Sequence, residues 1–178
     1  REGEATLRTE DVLAVLEREG RSIALVMLGA VNYLTGQWFE MERITAAGQA
    51  QGCVVGWDLA HAAGNVPVKL HDWNIDFAAW CTYKYLNSGP GAVAGAFVHE
   101  RHTAKQRSSE TAKQGELKRF AGWWGNDPVT RFAMGPEFVP VASADAWQLS
   151  NPPILALAPV MASLEIFDRA GMSAIREK

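Results

Sequence analysis

The sequence predicts an α/β fold in which parallel strands alternate with helices, and three observations carry that prediction. Strand-length runs that are almost wholly apolar recur, residues 23–28 and 53–59 being the clearest, where a half-exposed strand would alternate apolar with polar side chains. Between them, residues 40–51 repeat their apolar positions at helical spacing. Glycines stand at the joints, with Gly20, Gly29 and Gly52 each closing a run.

In chain order, Thr9 is expected to cap a first helix with Glu10 and Asp11 in its first turn, Val12, Leu13 and Leu16 on one face, and Gly20 as its stop. The run at 23–28 reads as a parallel strand covered on both faces. In the second helix Met41, Ile44, Ala47 and Ala50 form the apolar face, Glu40, Glu42, Arg43 and Gln51 lie elsewhere, and Gly52 is placed to end it. Residues 53–59 form the next buried strand, and 76–81 and 92–99 supply two more strand-like runs. Residues 103–118 are dominated by Lys, Gln, Ser, Glu and Thr and read as a solvated loop or exposed helix. Pro152-Pro153 breaks the chain before Ile154, and a helical pattern resumes over 162–169 with Leu164, Ile166 and Phe167, where a second group of elements is expected to begin.

Composition narrows the function classes. With 48% hydrophobic and 21% charged residues in 178, the chain is globular and long enough to bury a core. Seventeen basic and 20 acidic residues in mixed order give a net charge of −3, which leaves no basic field for nucleic acid or an anionic membrane. A small, neutral-to-acidic ligand is the easier partner. The two cysteines, Cys53 and Cys81, sit in apolar runs as reduced thiols do, which fits a cytosolic setting. The longest apolar stretches, 23–28 and 154–161, fall far short of the roughly 20 residues of a spanning helix. The chain opens at Arg1 and stops at Lys178 inside a helical pattern, so it reads as a fragment.

Three residues with chemical potential fall where parallel strands should end, the edge at which α/β sheets collect ligands: Asp58, His61 and Lys84. A carboxylate closing an apolar strand calls for a cation or a donor, and a protonated pyridine nitrogen would serve; a loop cap is the alternative. His61 follows among small residues that let a flat ring approach, although a histidine there can equally be a satisfied structural one. Lys84 emerges from the apolar segment 76–84 beside Tyr83, where desolvation favours the neutral amine that condenses with an aldehyde; a lysine snorkelling from a strand end is the plain alternative. The turn Asn87-Ser88-Gly89-Pro90-Gly91 can take backbone angles suited to a nearby ligand. His99 and His102 read as surface residues, since no further ligand at metal-binding spacing joins them. No serine-hydrolase elbow, phosphate loop or complete dinucleotide fingerprint occurs. The seven tryptophans read mostly as core, with Trp123-Trp124 between glycines also able to cover a ligand.

The run Asp58-Leu59-Ala60-His61-Ala62, followed by Trp80-Cys81-Thr82-Tyr83-Lys84-Tyr85-Leu86-Asn87-Ser88-Gly89-Pro90-Gly91, resembles the kynureninase signature. The likeness extends through Asn32-Tyr33-Leu34-Thr35-Gly36-Gln37, Leu70-His71-Asp72-Trp73, Ala96-Phe97-Val98-His99-Glu100 and Ser150-Asn151-Pro152-Pro153, leaving out the polar stretch 106–118. The resemblance implies a pyridoxal 5'-phosphate (PLP) enzyme of fold type I, like the aspartate aminotransferases, acting as a homodimer. Residues 1–150 would then be part of the PLP-binding large domain and 151–178 the start of the connection to a small C-terminal domain that this chain lacks.

By the same resemblance, Lys84 would hold PLP in Schiff-base linkage and move the substrate's α-proton, and Asp58 would pair with the pyridine nitrogen. His61 would line the ring pocket, and Tyr83 would contact the cofactor phosphate and assist proton transfer. Trp123 and Asn151 would complete the site from the neighbouring subunit, and Ser150-Asn151 would meet the ring hydroxyl of 3-hydroxykynurenine. The implied reaction is hydrolysis of kynurenine or 3-hydroxykynurenine to an anthranilate and alanine, in tryptophan catabolism and NAD biosynthesis, with no metal. Gly29 departs from relatives with serine at that strand end, and the flanking regions that add phosphate contacts and a carboxylate-binding arginine are absent, so the 178 residues alone are expected to be inactive. A cysteine-desulfurase-like enzyme, an aminotransferase and an inactive scaffold are the alternatives, and Trp123 with Ser150-Asn151-Pro152-Pro153 favours kynureninase.

Overall fold

In the computed structural model, residues 3–103 and 119–177 are described. The polar stretch expected to be a loop or exposed helix lies, from residue 104 to 118, outside them. The chain divides into two compact units, residues 1–97 with 154–178, and residues 98–153.

The first unit opens with α1 (Thr9–Glu19), β1 (Leu25–Gly29), α2 (Met41–Ala50) and β2 (Val54–Asp58). It continues through β3 (Phe77–Trp80) and β4 (Gly95–Val98), and α3 (Ile154–Ala170) and α4 (Met172–Arg176) return to it. The four strands form one sheet in the order β1-β2-β3-β4, with β1 parallel to β2 and β2 parallel to β3, as the apolar runs and intervening helix predicted. Gly29 stands opposite Asp58 and Asp58 opposite Ala79, so three neighbouring strands finish level with one another.

Burial explains the register. Val55 and Trp57 are completely buried, and Trp57 Nε1 donates to Thr45 Oγ1 of α2 at 3.0 Å, giving the indole N–H its partner. A second polar tie lies at the far end of the strand, where Asp76 Oδ2 accepts from Val55 N at 2.8 Å and from Gln49 Nε2 at 3.0 Å. Met41, Ile44, Leu59 and Ile75 complete the packing under the sheet.

Several expectations change. Arg8, not Thr9, is the N-cap of α1; Thr9 is inside the helix and buried, and its hydroxyl hydrogen-bonds the Glu40 carboxylate, which together with the stronger bond from Arg43 holds that carboxyl below its ordinary range. The buried face of α2 is Met41, Ile44, Thr45 and Gly48, not the stripe through Ala47 and Ala50, because the indole of Trp57 needs Thr45 and Val55 packs where Gly48 has no side chain. Strand β1 is covered on one face only: Leu25 and Met27 are 49% and 51% exposed. Helix α3 starts at Ile154 and carries Pro159 inside it, eight residues before the expected pattern; the residue whose carbonyl loses its helical partner, Leu155, is 90% exposed and open to water. His99 is buried rather than superficial, its Nδ1 accepting from Arg101 N at 3.2 Å. Of the seven tryptophans only Trp57 is fully buried. Cys53 is buried and Cys81 half-buried, and both are free thiols. Among the described residues no helix is long and apolar enough to cross a membrane.

The second unit is held by short-range ties. Asn126 and Pro140 form an antiparallel bridge, Asp127 N donates to Val139 O at 2.7 Å and Val141 N to Gly125 O at 2.9 Å.

Replacing Thr45 with valine keeps the shape but strips the indole N–H of its partner. The expected cost is about 1–3 kcal/mol, read as a lowered urea midpoint with an unchanged slope in the full-length protein.

Candidate active site

The level ends of β1, β2 and β3 deliver three loops to one edge of the sheet. After β2, Asp58 Oδ1 accepts from Ala60 N at 2.8 Å, which turns the chain sharply out of the strand. Ala62 N and Ala63 N then both donate to Leu59 O at 2.9 Å, winding a tight turn around His61, and Asn65 Nδ2 donates to His61 O at 2.9 Å. Asp58 is exposed, and no cation among the described residues pairs with its carboxylate.

The loop beyond β3 carries Lys84 and is fastened at several points. Ser88 N donates to Thr82 O at 3.1 Å, Asn87 N to Lys84 O at 3.0 Å, and Thr82 Oγ1 to Val93 O at 2.7 Å. Ser163 of α3 donates its hydroxyl to Leu86 O. Asn87, Gly89 and Gly91 all take positive φ, the unusual backbone angles expected of that turn. Lys84 lies four residues past the end of β3, so a loop and not the strand presents it.

Two of the three strand-end residues meet directly: Lys84 Nζ lies 2.9 Å from His61 Nε2. Gly64, at φ +78°, makes the approach possible, since a side chain there would stand 3.0 Å from the backbone of Leu86 and Tyr85. Two aromatic rings flank the imidazole, Tyr33 tilted at 36° and Tyr85 edge-on at 70°, each with its centroid 6.0 Å away. Tyr33 sits on a loop shaped by Asn32, whose Oδ1 accepts from Leu34 N at 2.9 Å and Thr35 N at 3.1 Å, and by Gly36 at φ +71°. Neither tyrosine had a role in the sequence reading. Only the signature runs around them gave a signal, because their convergence on His61 depends on loop paths that periodicity does not encode.

Tyr83 is 53% exposed at this edge. The remaining expected residues belong to the second unit. Trp123 is 41% exposed rather than core; its ring meets Phe132 edge-on at 5.3 Å and lies 5.1 Å from the Arg131 guanidinium. Arg131 also covers Trp124 at 4.9 Å and donates through Nη2 to Trp124 O and Asn126 O, both at 2.7 Å. Ser150 and Asn151 are exposed, with Gln148 Nε2 donating to Ser150 O at 3.0 Å. No group of three or more His, Cys, Asp or Glu among the described residues is arranged to hold a metal ion.

The edge thus brings an amine and an imidazole into contact beside a carboxylate, and the family comes from the sequence as a whole. Residues 3–135 match the aminotransferase class-V family, and the chain belongs to that family of PLP enzymes. The fold is that of the fold-type I enzymes. A cysteine desulfurase from Escherichia coli superposes with a TM-score of 0.68 at 16% identity, covering 91% of this chain and 37% of that one. A pyridoxamine-pyruvate aminotransferase from Mesorhizobium loti gives 0.64 at 16% identity over 96% of this chain and 39% of its own.

The sequence is more particular than the fold. The chain is 60% identical to a kynureninase of Koribacter versatilis over its whole length and 40% of the relative's. To a kynureninase of Salinispora tropica it is 61% identical over 39% of that protein, and to one of Nematostella vectensis 55% identical over 36%. The chain thus spans about two fifths of the length of the curated relatives it matches. The donor set suits the family's cofactor: Lys84 offers a primary amine to an aldehyde, and the carboxylate of Asp58 offers a partner to a protonated ring nitrogen.

Arg131 holds the Trp123-Trp124 turn by shape as well as charge, so lysine should not replace it. Amide exchange at Asp127 and Val141 in the full-length protein is expected to quicken about tenfold in both Arg131→Ala and Arg131→Lys, with strand β2 unaffected.

Proposed function

We propose that this chain carries the lysine-bearing part of a kynureninase, which hydrolyses the bond between the β and γ carbons of kynurenine or 3-hydroxykynurenine to give an anthranilate and L-alanine. The observation that carries the reading is the juxtaposition of Lys84 and His61 next to the Asp58 strand end, in a chain about 60% identical to curated kynureninases along its whole length.

PLP held at this edge would supply an electron sink for the pair on the substrate's α-carbon. The Lys84 amine would hold the aldehyde and, when free, would accept and return a proton at the substrate's α-carbon. The Asp58 carboxylate would pair with the pyridine nitrogen and favour its protonated form. His61 lines the ring, and Tyr83, with its exposed phenol, binds the phosphate and serves as a proton donor nearby. Trp123 and Asn151 complete the site of a neighbouring subunit in a homodimer. The Ser150-Asn151 pair is polar and exposed, which suits a ring hydroxyl and favours 3-hydroxykynurenine.

Residues 1–150 belong in this reading to the cofactor-binding large domain and 151–178 to the connection toward a smaller domain. The free Cys53 and Cys81 suit a reducing cytoplasm, and the products suit tryptophan catabolism and NAD biosynthesis.

In the full-length protein reconstituted with PLP, Lys84→Ala is expected to abolish both the visible band of the lysine-bound cofactor and kynurenine cleavage. Asp58→Asn keeps the band but lowers kcat by about 100-fold or more, because the ring nitrogen loses its counter-charge. Full cleavage activity in Lys84→Ala would overturn the reading.

A further inference from the structure

The 2.9 Å contact between Lys84 Nζ and His61 Nε2 assigns the lysine a second partner besides any cofactor. We propose that His61 is a positioning residue that seats the Lys84 amine whenever that amine is not covalently engaged, so that it returns to one place after each release. The inference rests on the reading above for what the lysine does, but the pairing itself stands on this chain's own geometry.

Three features make the seat a built one. The backbone that carries the imidazole is fixed by its own turn, with Asn65 Nδ2 donating to His61 O and Leu59 O accepting from Ala62 N and Ala63 N. The imidazole is flanked by the rings of Tyr33 and Tyr85, each with its centroid 6.0 Å away and differently inclined. The lysine loop is fixed independently through Thr82, Ser88 and the Ser163–Leu86 bond, and Gly64 lets the two loops approach to contact distance. Both ends of the contact are therefore held by separate structure.

Histidine suits the seat for a chemical reason. An ammonium can only donate, and neutral imidazole accepts from it at Nε2 while its proton resides on Nδ1. When the amine has lost a proton, the other tautomer donates from Nε2–H to the lone pair. The same two atoms thus keep their bond through the change that an amine undergoes between resting and attacking. An aromatic of similar size without nitrogen would fill the space and hold nothing.

The test uses the full-length protein stripped of cofactor, with acylation of Lys84 by an amine-selective reagent measured by mass spectrometry against exposed Lys69. An amine engaged by a partner is less available than a free one, so His61→Phe is expected to raise the Lys84-to-Lys69 ratio about tenfold. His61→Gln, which offers both an acceptor and a donor, should bring it part of the way back. The reciprocal readout is the His61 Nε2 nitrogen chemical shift, expected to move in Lys84→Met. An unchanged ratio together with an unmoved shift would overturn the seat even if the protein binds PLP. A raised ratio in His61→Phe, with no visible band when the unmutated protein is given PLP, would instead overturn the cofactor reading and leave the seat intact.

Discussion

The structure depends on one constraint, the in-step parallel register of β1, β2 and β3, with Gly29, Asp58 and Ala79 side by side where the strands end. Side chains alternate along a strand, so a slip of one residue in β2 would turn Trp57 out of the core and Asp58 into it. The first change would expose an indole that now bonds Thr45, and the second would bury a charge among apolar groups. Both penalties oppose the slip, and the core therefore fixes where the carboxylate stands. The backbone reinforces the edge, with Ala30 N donating to Asp58 O and Leu59 N to Ala79 O, so that the loops leaving the strands start from one line.

From that line the site follows by loop geometry. Asp58 bends the chain toward His61, the small residues at 60, 62, 63 and 64 keep that turn thin, and the loop beyond β3 passes close enough for Lys84 to reach it. The division of labour is physical: the sheet supplies position and the loops supply chemistry. The polar atoms that tie the loops are mostly backbone groups and short side chains, which limits the number of arrangements the lysine can explore.

Much of this was legible in the sequence, for identifiable reasons. Apolar runs of strand length around residues 25 and 55 marked the parallel strands, and the helical spacing of Met41 and Ile44 marked α2 between them. Asp58 stands at the strand end where the apolar run stops, whereas Lys84, expected at a strand end too, sits on a loop four residues beyond β3. What failed to show depended on tertiary context. The buried face of α2 rotated toward Thr45 because of an indole twelve residues later in the chain, and Pro159 was accommodated because its helix bares Leu155 to water. Strand β1 was expected to be covered on both faces, yet Leu25 and Met27 are half-exposed, because an apolar run marks a strand without showing how many of its faces are packed. Tyr33 and Tyr85 converge on His61 only because the Asn32 turn and the lysine loop bring them there.

In the function proposed above, Lys84 is the residue through which this sheet edge would hold an aldehyde cofactor. The most direct measurement is borohydride reduction of the full-length protein with PLP, followed by peptide mapping. One pyridoxyl group is expected, on the peptide containing Lys84. Label on another lysine, such as Lys69, or no label at all, would contradict it.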